Sequence, residues 1–376
     1  MYVAELDRPW TDTPFMFQGF VLRTQQQLDT LRRYCSTVLV DIERSEVDDT
    51  QQGKVVYVDK ASVEQEIAPA RTAYAGGSSL MREVFATVKA GRALDAERVK
   101  AAVTTMAESV LRNPDALLLY SQLREKDDYT VAHSLDVCLY MIAFGRFLQL
   151  EPGQIEFLGY LGLLQDIGKV RLPGELLEKP GRLSVAEFER AKLHVSYSVE
   201  ILRATPGLPR DLPRLAALHH ERHDGSGYPR NLRAPEIGMI GSIAAIADTF
   251  DALTLRRPYA EPVAPSAALN MLYKWRGVFF DAQLVEQFIR CIGIFPVGSL
   301  VELNSGEVGV VIAQNQVKRL QPRVMVIRDA AGNPLRPHKL LDLSREPKVS
   351  ADEAYRIRRT LEYGRIPVKA EELFMQ

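Results

Sequence analysis

The run His219-His220-Glu221-Arg222-His223-Asp224-Gly225-Ser226-Gly227-Tyr228-Pro229 holds three of the chain's six histidines against a turn rich in glycine and proline. Neutral imidazole is the commonest protein ligand for transition metals. Adjacent histidines followed by Gly225, Gly227 and Pro229 predict a metal site at a helix end with a loop folded over it. Such a site needs further ligands from distant segments, so the fold must bring several elements to one point.

A 3.6-residue apolar period dominates from Asp95 onward. Val99, Val103, Met106 and Val110 line one face of a helix that Asn113-Pro114 ends. Ile155, Leu158, Leu161 and Leu164 form a second stripe leading to Gln165-Asp166, and Ser184-Val185-Ala186-Glu187 is a capping box that opens the helix carrying His194. The flanks differ. In residues 1–60, Phe15, Phe17, Phe20 and Val21, then Val38-Leu39-Val40 and Val55-Val56-Tyr57-Val58, are β-type runs, with a helical pattern through Leu28, Leu31 and Tyr34. Residues 61–94, with Ala75-Gly76-Gly77-Ser78-Ser79, are expected to be a linker with a hinge and a connecting helix. Residues 95–297 form the helical domain. Leu300-Val301-Glu302-Leu303, Gly309-Val310-Val311-Ile312 and Val324-Met325-Val326-Ile327 predict hairpins in a small barrel or sheet over 298–344, followed by a charged tail, helical or loose, over 345–376.

With 47 basic against 48 acidic residues, a net charge of −1 gives no argument for a nucleic-acid polymer or an anionic membrane as partner, and neither is expected. Cys35, Cys138 and Cys291 lie far apart without metal-ribbon spacing, which favours buried thiols in a reducing compartment. With no leader pattern and no continuous apolar run of about 18 residues, the expected location is the cytoplasm.

The spelling of residues 219–229 resembles the HD-GYP family, all-helical metal-dependent phosphohydrolases whose usual substrate is the bacterial messenger cyclic di-GMP. Five further pieces appear in the family's order: Tyr129-Thr130-Val131-Ala132-His133-Ser134, Leu164-Gln165-Asp166-Ile167-Gly168-Lys169, Leu193-His194, Ile246 to Thr254, and Arg257-Pro258-Tyr259. The resemblance spans roughly residues 95–295. It implies a mainly α fold: an HD-type helical bundle with a small N-terminal α/β domain and a small C-terminal β extension. Residues 1–60, including Asp7-Arg8-Pro9-Trp10 and Thr13-Pro14-Phe15, resemble the domain of uncharacterised role that precedes many such units, and Met1-Tyr2-Val3 falls inside its first strand. A start upstream of Met1 is therefore expected.

Phosphodiester hydrolysis is served by two cations about 3.5–4 Å apart. The resemblance assigns His133, Gln165, Asp166 and Asp248 to one metal, and His194 with one or both of His219 and His220 to a second that Asp166 bridges. On a helix, successive histidines diverge by about 100°. Iron or manganese is expected, with magnesium as the alternative. Lys169 and Asp251 join Asp166 as catalytic residues, Asp251 orienting Lys169. Arg257, Tyr228 and Gly227 contact the substrate, Arg257 as a two-pronged phosphate clamp. A protein partner is expected at the GYP loop or the N-terminal domain, and a homodimer is compatible. Tyr129 stands where a three-metal subgroup carries glutamate, which limits the count to two.

Two positions depart from the family. Gln165 replaces the histidine of the His-Asp doublet, and a neutral amide oxygen suits Mg or Mn better than Zn. Ala260 replaces a second basic residue. Loss of a supporting ligand commonly costs about 10–100-fold in metal affinity or activity. The surviving ligands favour a slow cyclic di-GMP phosphodiesterase; the alternative is a receptor or scaffold that binds the messenger without cleaving it.

Overall fold

The computed structural model describes residues 2–7, 20–22, 25–41, 55–124, 128–255, 262–361, 368 and 370–374. The chain divides into two compact units, Met1–Lys54 and Val55–Gln376. In the first, β1 (Tyr2–Leu6) lies between β2 (Phe20–Val21) and β3 (Val38–Asp41), all antiparallel to it, and α1 (Gln25–Tyr34) joins the outer strands. Asp7 Oδ2 accepts hydrogen bonds from the backbone N–H groups of Ser36 (2.7 Å) and Thr37 (3.1 Å), tying the end of β1 to the turn before β3. Phe15 and Phe17 lie outside the described residues.

The second unit is a helical bundle followed by a sheet. Its helices are α2 (Val63–Lys89), α3 (Ala96–Arg112), α4 (Pro114–Leu123), α5 (Tyr129–Phe147), α6 (Pro152–Leu164), α7 (Gly174–Leu177), α8 (Val185–Arg203), α9 (Leu212–Ala216), α10 (Ala234–Thr254), α11 (Pro265–Trp275) and α12 (Ala282–Ile292). A 3-10 turn, Ile167–Arg171, follows α6. Val99, Val103, Met106 and Val110 on α3 and the four stripe residues of α6 are fully buried in one core. Asp128 caps α5 by accepting from the N–H groups of Thr130 and Val131, and Ser184 and Glu187 close the expected capping box on α8.

Two expectations for the entry to this unit are corrected. Val55–Val58 is not a strand: Val56 and Val58 are 54% and 72% exposed, and Tyr57 instead packs on the helical core with its hydroxyl donating to Leu150 O (2.8 Å). Of the expected linker, hinge and connecting helix over 61–94, the helix is present as the 27-residue α2, and the hinge is not: α2 is unbroken at Gly76-Gly77. A Cβ at Gly77 would meet Leu135 Cδ2 at 2.9 Å, so the missing side chain lets α2 lie close on α5 rather than break. Summed along a helix, such packing outweighs a propensity cost of about 1 kcal/mol per glycine.

The sheet runs in the order β7-β6-β5-β4-β8, antiparallel throughout, from β4 (Leu300–Leu303), β5 (Val308–Ala313), β6 (Arg323–Arg328), β7 (Pro334–Asp342) and β8 (Ile357–Thr360). β8 corrects the expectation of a helical or loose tail, since residues 357–360 pair with β4. A short α13 (Ala370–Leu373) follows. Asp115 at the start of α4 accepts from Gln314 N–H just after β5 (2.9 Å), joining bundle to sheet. Among the described residues one helix, α10, is long and apolar enough to cross a membrane by length and composition; most of it is buried in the bundle, and it carries Asp248 and Asp251 inward.

Candidate metal centre

Five segments deliver the polar side chains to one buried point. His133 stands in the first turns of α5, Gln165 and Asp166 at the junction of α6 and the 3-10 turn, His194 within α8, and Asp248 within α10. Gly168 N–H donates to Ser198 Oγ (2.8 Å), which holds the Asp166 turn against α8. His219 and His220 lie in the turn after α9, not on a helix. Their rings therefore do not diverge as helical neighbours would; the centroids are 4.0 Å apart and both face the cluster.

The donor atoms gather into two groups that share Asp166: Asp166, His194, His219 and His220 in one, His133, Asp166 and Asp248 in the other, each within 4.8 Å. His133 Nε2 lies 2.9 Å from Asp166 Oδ2 and 3.1 Å from Asp248 Oδ1. The Nε2 atoms of His194 and His219 lie 3.1 and 3.5 Å from Asp166 Oδ1 and 3.4 Å from each other. His220 Nδ1 is 3.7 Å from Asp248 Oδ2.

Hydrogen bonds on the far side of three rings fix their tautomers. His194 Nδ1 donates to Ala191 O (2.7 Å), His219 Nδ1 to Ala216 O (2.6 Å), and His133 Nδ1 to Asp251 Oδ2 (2.6 Å). In the neutral rings the Nε2 atoms then carry lone pairs, and those of His194 and His219 face Asp166 Oδ1, a buried oxygen that accepts no hydrogen bond. Acceptors that converge on one another with their outer nitrogens anchored are the donor set a divalent cation requires. Gln165 adds a further acceptor: its amide nitrogen donates to Asp248 Oδ1 (3.3 Å), while Oε1 is buried without a partner. The residues fit a divalent metal centre.

The charges agree with that fit at Asp166, Asp248, His194 and His220, whereas His133 and His219 are held above the ordinary imidazole value and must lose a proton to act as ligands. Although burial opposes ionisation, the Lys169 ammonium and the surrounding imidazoles hold the Asp166 carboxyl well below the usual carboxylate range. Burial likewise opposes ionisation of Asp248, and the hydrogen bond and charge of His133 pull it down. Burial, then repulsion from His219, pushes His220 well below an ordinary histidine. Burial also lowers His194. Burial works against a charged His133 as well, but Tyr129, stacked on its ring at 5.7 Å, and the bonded carboxylates raise it well above the ordinary value.

Other expected residues fall as follows. Lys169 Nζ donates to Asp166 Oδ2 (2.7 Å). Asp251, expected to orient Lys169, bonds His133, because α10 runs beside the first turns of α5. Tyr228 stacks on His220, centroids 4.7 Å apart. Gly227 is buried, and a Cβ there would meet Arg222 N at 2.4 Å and Glu221 Cα at 2.5 Å, so the position needs glycine for the loop to fold on itself. Arg257 and Ala260 lie outside the described residues. His223 stands apart, bonding Ser242 Oγ (2.9 Å). Sequence reasoning missed Glu221. Its buried carboxylate accepts from the N–H groups of Arg230 (2.7 Å) and Leu232 (2.9 Å) and so folds the loop over the histidines. Its only signal was an acidic residue next to the ligand pair.

Comparison with known proteins agrees with fold and site. The family described as "HD domain" matches residues 130–284, "KOW domain associated with HD domain" matches 300–359, and "Domain of unknown function (DUF3391)" matches 1–99. The chain is 33% identical over 359 residues to cyclic di-GMP phosphodiesterase PA4108 of Pseudomonas aeruginosa, covering 92% of this chain and 86% of that protein. It is 38% identical over 162 residues to 3'3'-cGAMP-specific phosphodiesterase 2 of Vibrio cholerae, covering 43% of this chain and 31% of that one. The fold also matches Bd1817, an HD-GYP-type protein of Bdellovibrio bacteriovorus, with a TM-score of 0.50 over 70% of this chain and 80% of that one at 17% identity. Helical bundle and His/Asp cluster together define a metal-dependent hydrolase of the HD type. Within that class, the chain belongs to the HD-GYP family.

Proposed function

We propose that the protein is a cyclic di-GMP phosphodiesterase, opening the cyclic dinucleotide to a linear dinucleotide or to GMP. The observation that carries this reading is the convergence of His133, Asp166, His194, His219, His220 and Asp248 with outer nitrogens anchored. Two divalent cations, iron or manganese before magnesium, would be held by the two groups that share Asp166, and they supply activation of water at neutral pH and neutralisation of phosphoryl charge. The chain's own residues orient these donors. Asp251 keeps His133 in the tautomer that turns Nε2 inward, and Asp166 offers one oxygen to each group. Lys169 keeps Asp166 ionised and fixes a positive charge where the phosphate arrives. Arg257 is proposed to grip a second phosphate oxygen.

The bare Gln165 Oε1 favours a working centre over a receptor without chemistry, because the substitution leaves an acceptor where the family's imidazole would stand. The test is turnover of cyclic di-GMP by Mn-loaded protein, with bound metal measured on the same sample. Binding without turnover at full metal occupancy would establish the receptor instead. The GYP loop or the N-terminal unit is the proposed surface for a protein partner, in a cytoplasmic protein that can form a homodimer.

A further inference from the structure

The rings at the mouth of the centre form a row: neighbouring centroids of His219, His220, Tyr228 and Phe188 are 4.0, 4.7 and 5.9 Å apart. Tyr228 is engaged inside it, its face tilted 34° on His220 and its ring nearly perpendicular (83°) to Phe188. The outermost ring is Phe188 on α8, 45% exposed next to a charged, buried cluster. One helical turn on, the Lys192 ammonium lies 4.8 Å from the Phe188 centroid and 5.4 Å from that of Tyr228. The spacing of four puts both side chains on one face of α8. Lys192 pairs with Glu189 (2.7 Å), whose side chain is 61% exposed. With its acidic partner at the surface this ion pair has modest net value, so the ammonium, itself 26% exposed, can turn from Glu189 to a ligand lying on the same rings.

We propose that Phe188 and Lys192 form a subsite for a guanine base, a reading that rests on a cyclic dinucleotide placing its phosphates at the metal centre. Phe188 is 45% exposed, which leaves part of its ring free for a base, and stacking on an aromatic ring is tolerant of base identity. Discrimination falls to Lys192. Guanine presents two acceptors, O6 and N7, on one edge, whereas adenine presents an amino donor in place of O6. An ammonium carries donors only, so it bonds the guanine edge and meets the adenine amino group with a donor. The pair therefore selects guanine over adenine at this position, and with it cyclic di-GMP over a dinucleotide that carries adenine there.

The test is calorimetric binding of GMP and AMP to the metal-loaded full chain, beside hydrolysis of cyclic di-GMP and 3'3'-cGAMP. The wild type is expected to bind GMP more tightly than AMP. Lys192→Met should narrow that ratio about tenfold, in line with about 1–3 kcal/mol for a good base contact, while Lys192→Arg, which keeps donors for O6 and N7, should preserve it. Phe188→Ala should weaken both nucleotides about tenfold without changing their ratio, and Phe188→Tyr should restore both. Thermal melts establish that each variant is folded, and Phe188→Leu replaces Phe188→Ala if the latter is not. An unchanged ratio in Lys192→Met, or unchanged affinities on loss of the Phe188 ring, overturns the subsite. Failure of the catalytic reading looks different: GMP preference that depends on Lys192, with no hydrolysis of either dinucleotide, keeps the subsite and removes the phosphodiesterase.

Discussion

Asp251 Oδ2 lies 2.6 Å from His133 Nδ1, and this contact between α10 and α5 decides which nitrogen His133 turns to the metal centre. Asp251 stands three residues after Asp248 on the same helix, so α10 supplies both a ligand and the anchor of another ligand. Asp251→Asn removes the charge that makes His133 a strong donor. Metal affinity should fall about 10–100-fold, as is usual for such outer partners. Metal retained after dialysis against a weak chelator, measured by elemental analysis, checks this; retention equal to wild type would show that the contact is not needed.

Asp166 is shared by both groups, so Asp166→Ala should remove both ions together and reduce cyclic di-GMP turnover by more than about 100-fold, beyond the range for an outer partner. Single-turnover rates and metal content on one preparation test it. Unchanged activity would place the hydrolysis elsewhere.

Gln165→His restores an imidazole where a neutral amide now stands. Both side chains have similar reach, and the flanking Leu164 and Ile167 are fully buried, so the backbone is expected to hold. Bound metal and turnover should rise together. More metal with no more turnover would mean that the glutamine does not limit catalysis.

Glu221→Ala strips the acceptor from two backbone donors, Arg230 N–H and Leu232 N–H. Each unsatisfied buried donor costs about 1–3 kcal/mol. A lowered melting temperature and faster proteolytic cleavage within residues 224–232 are expected; a melting temperature equal to wild type would show that water replaces the carboxylate without loss.

Asp115 gives the stability a pH dependence. Burial raises its carboxyl from 3.8 to about 7, with the Gln314 N–H bond acting in the opposite direction. Between those values the folded chain holds a proton that the unfolded chain has released, so this group's contribution is full below about pH 4 and lost as pH rises toward 7. Asp115→Asn keeps an oxygen for Gln314 N–H and has no charge to desolvate. It should stabilise the protein at pH 8 by on the order of 2–4 kcal/mol and leave it nearly unchanged at pH 4. Equal gains at both pH values would rule out the titration.

The helical bundle was legible because its stripes are local: Val99 to Val110 and Ile155 to Leu164 repeat at the helical period and are buried in that order. The ligands were legible because metal chemistry restricts residue type. What escaped depends on distant pairings. Asp251 could have served Lys169 or His133, and only the closeness of α10 to α5 decides. His219 and His220 converge because the chain has already left α9, a boundary that periodicity does not mark. Gly76-Gly77 looks like a break until Leu135 is set against it. Ile357-Arg358-Arg359-Thr360 carries no apolar alternation because an edge strand needs only backbone partners, and its arginines instead reach Glu302 at 3.1 and 2.9 Å.

That last strand has a practical corollary for anyone shortening the chain. Leu300–Leu303 is flanked on one side by β5 and on the other by β8 alone. A truncation after Arg345 would therefore bare a row of unpaired N–H and C=O groups along a strand whose Val301 and Leu303 are fully buried. Such a row is a template for another copy to add its own strand, so trimming this charged tail would open an edge at which copies of the chain self-associate.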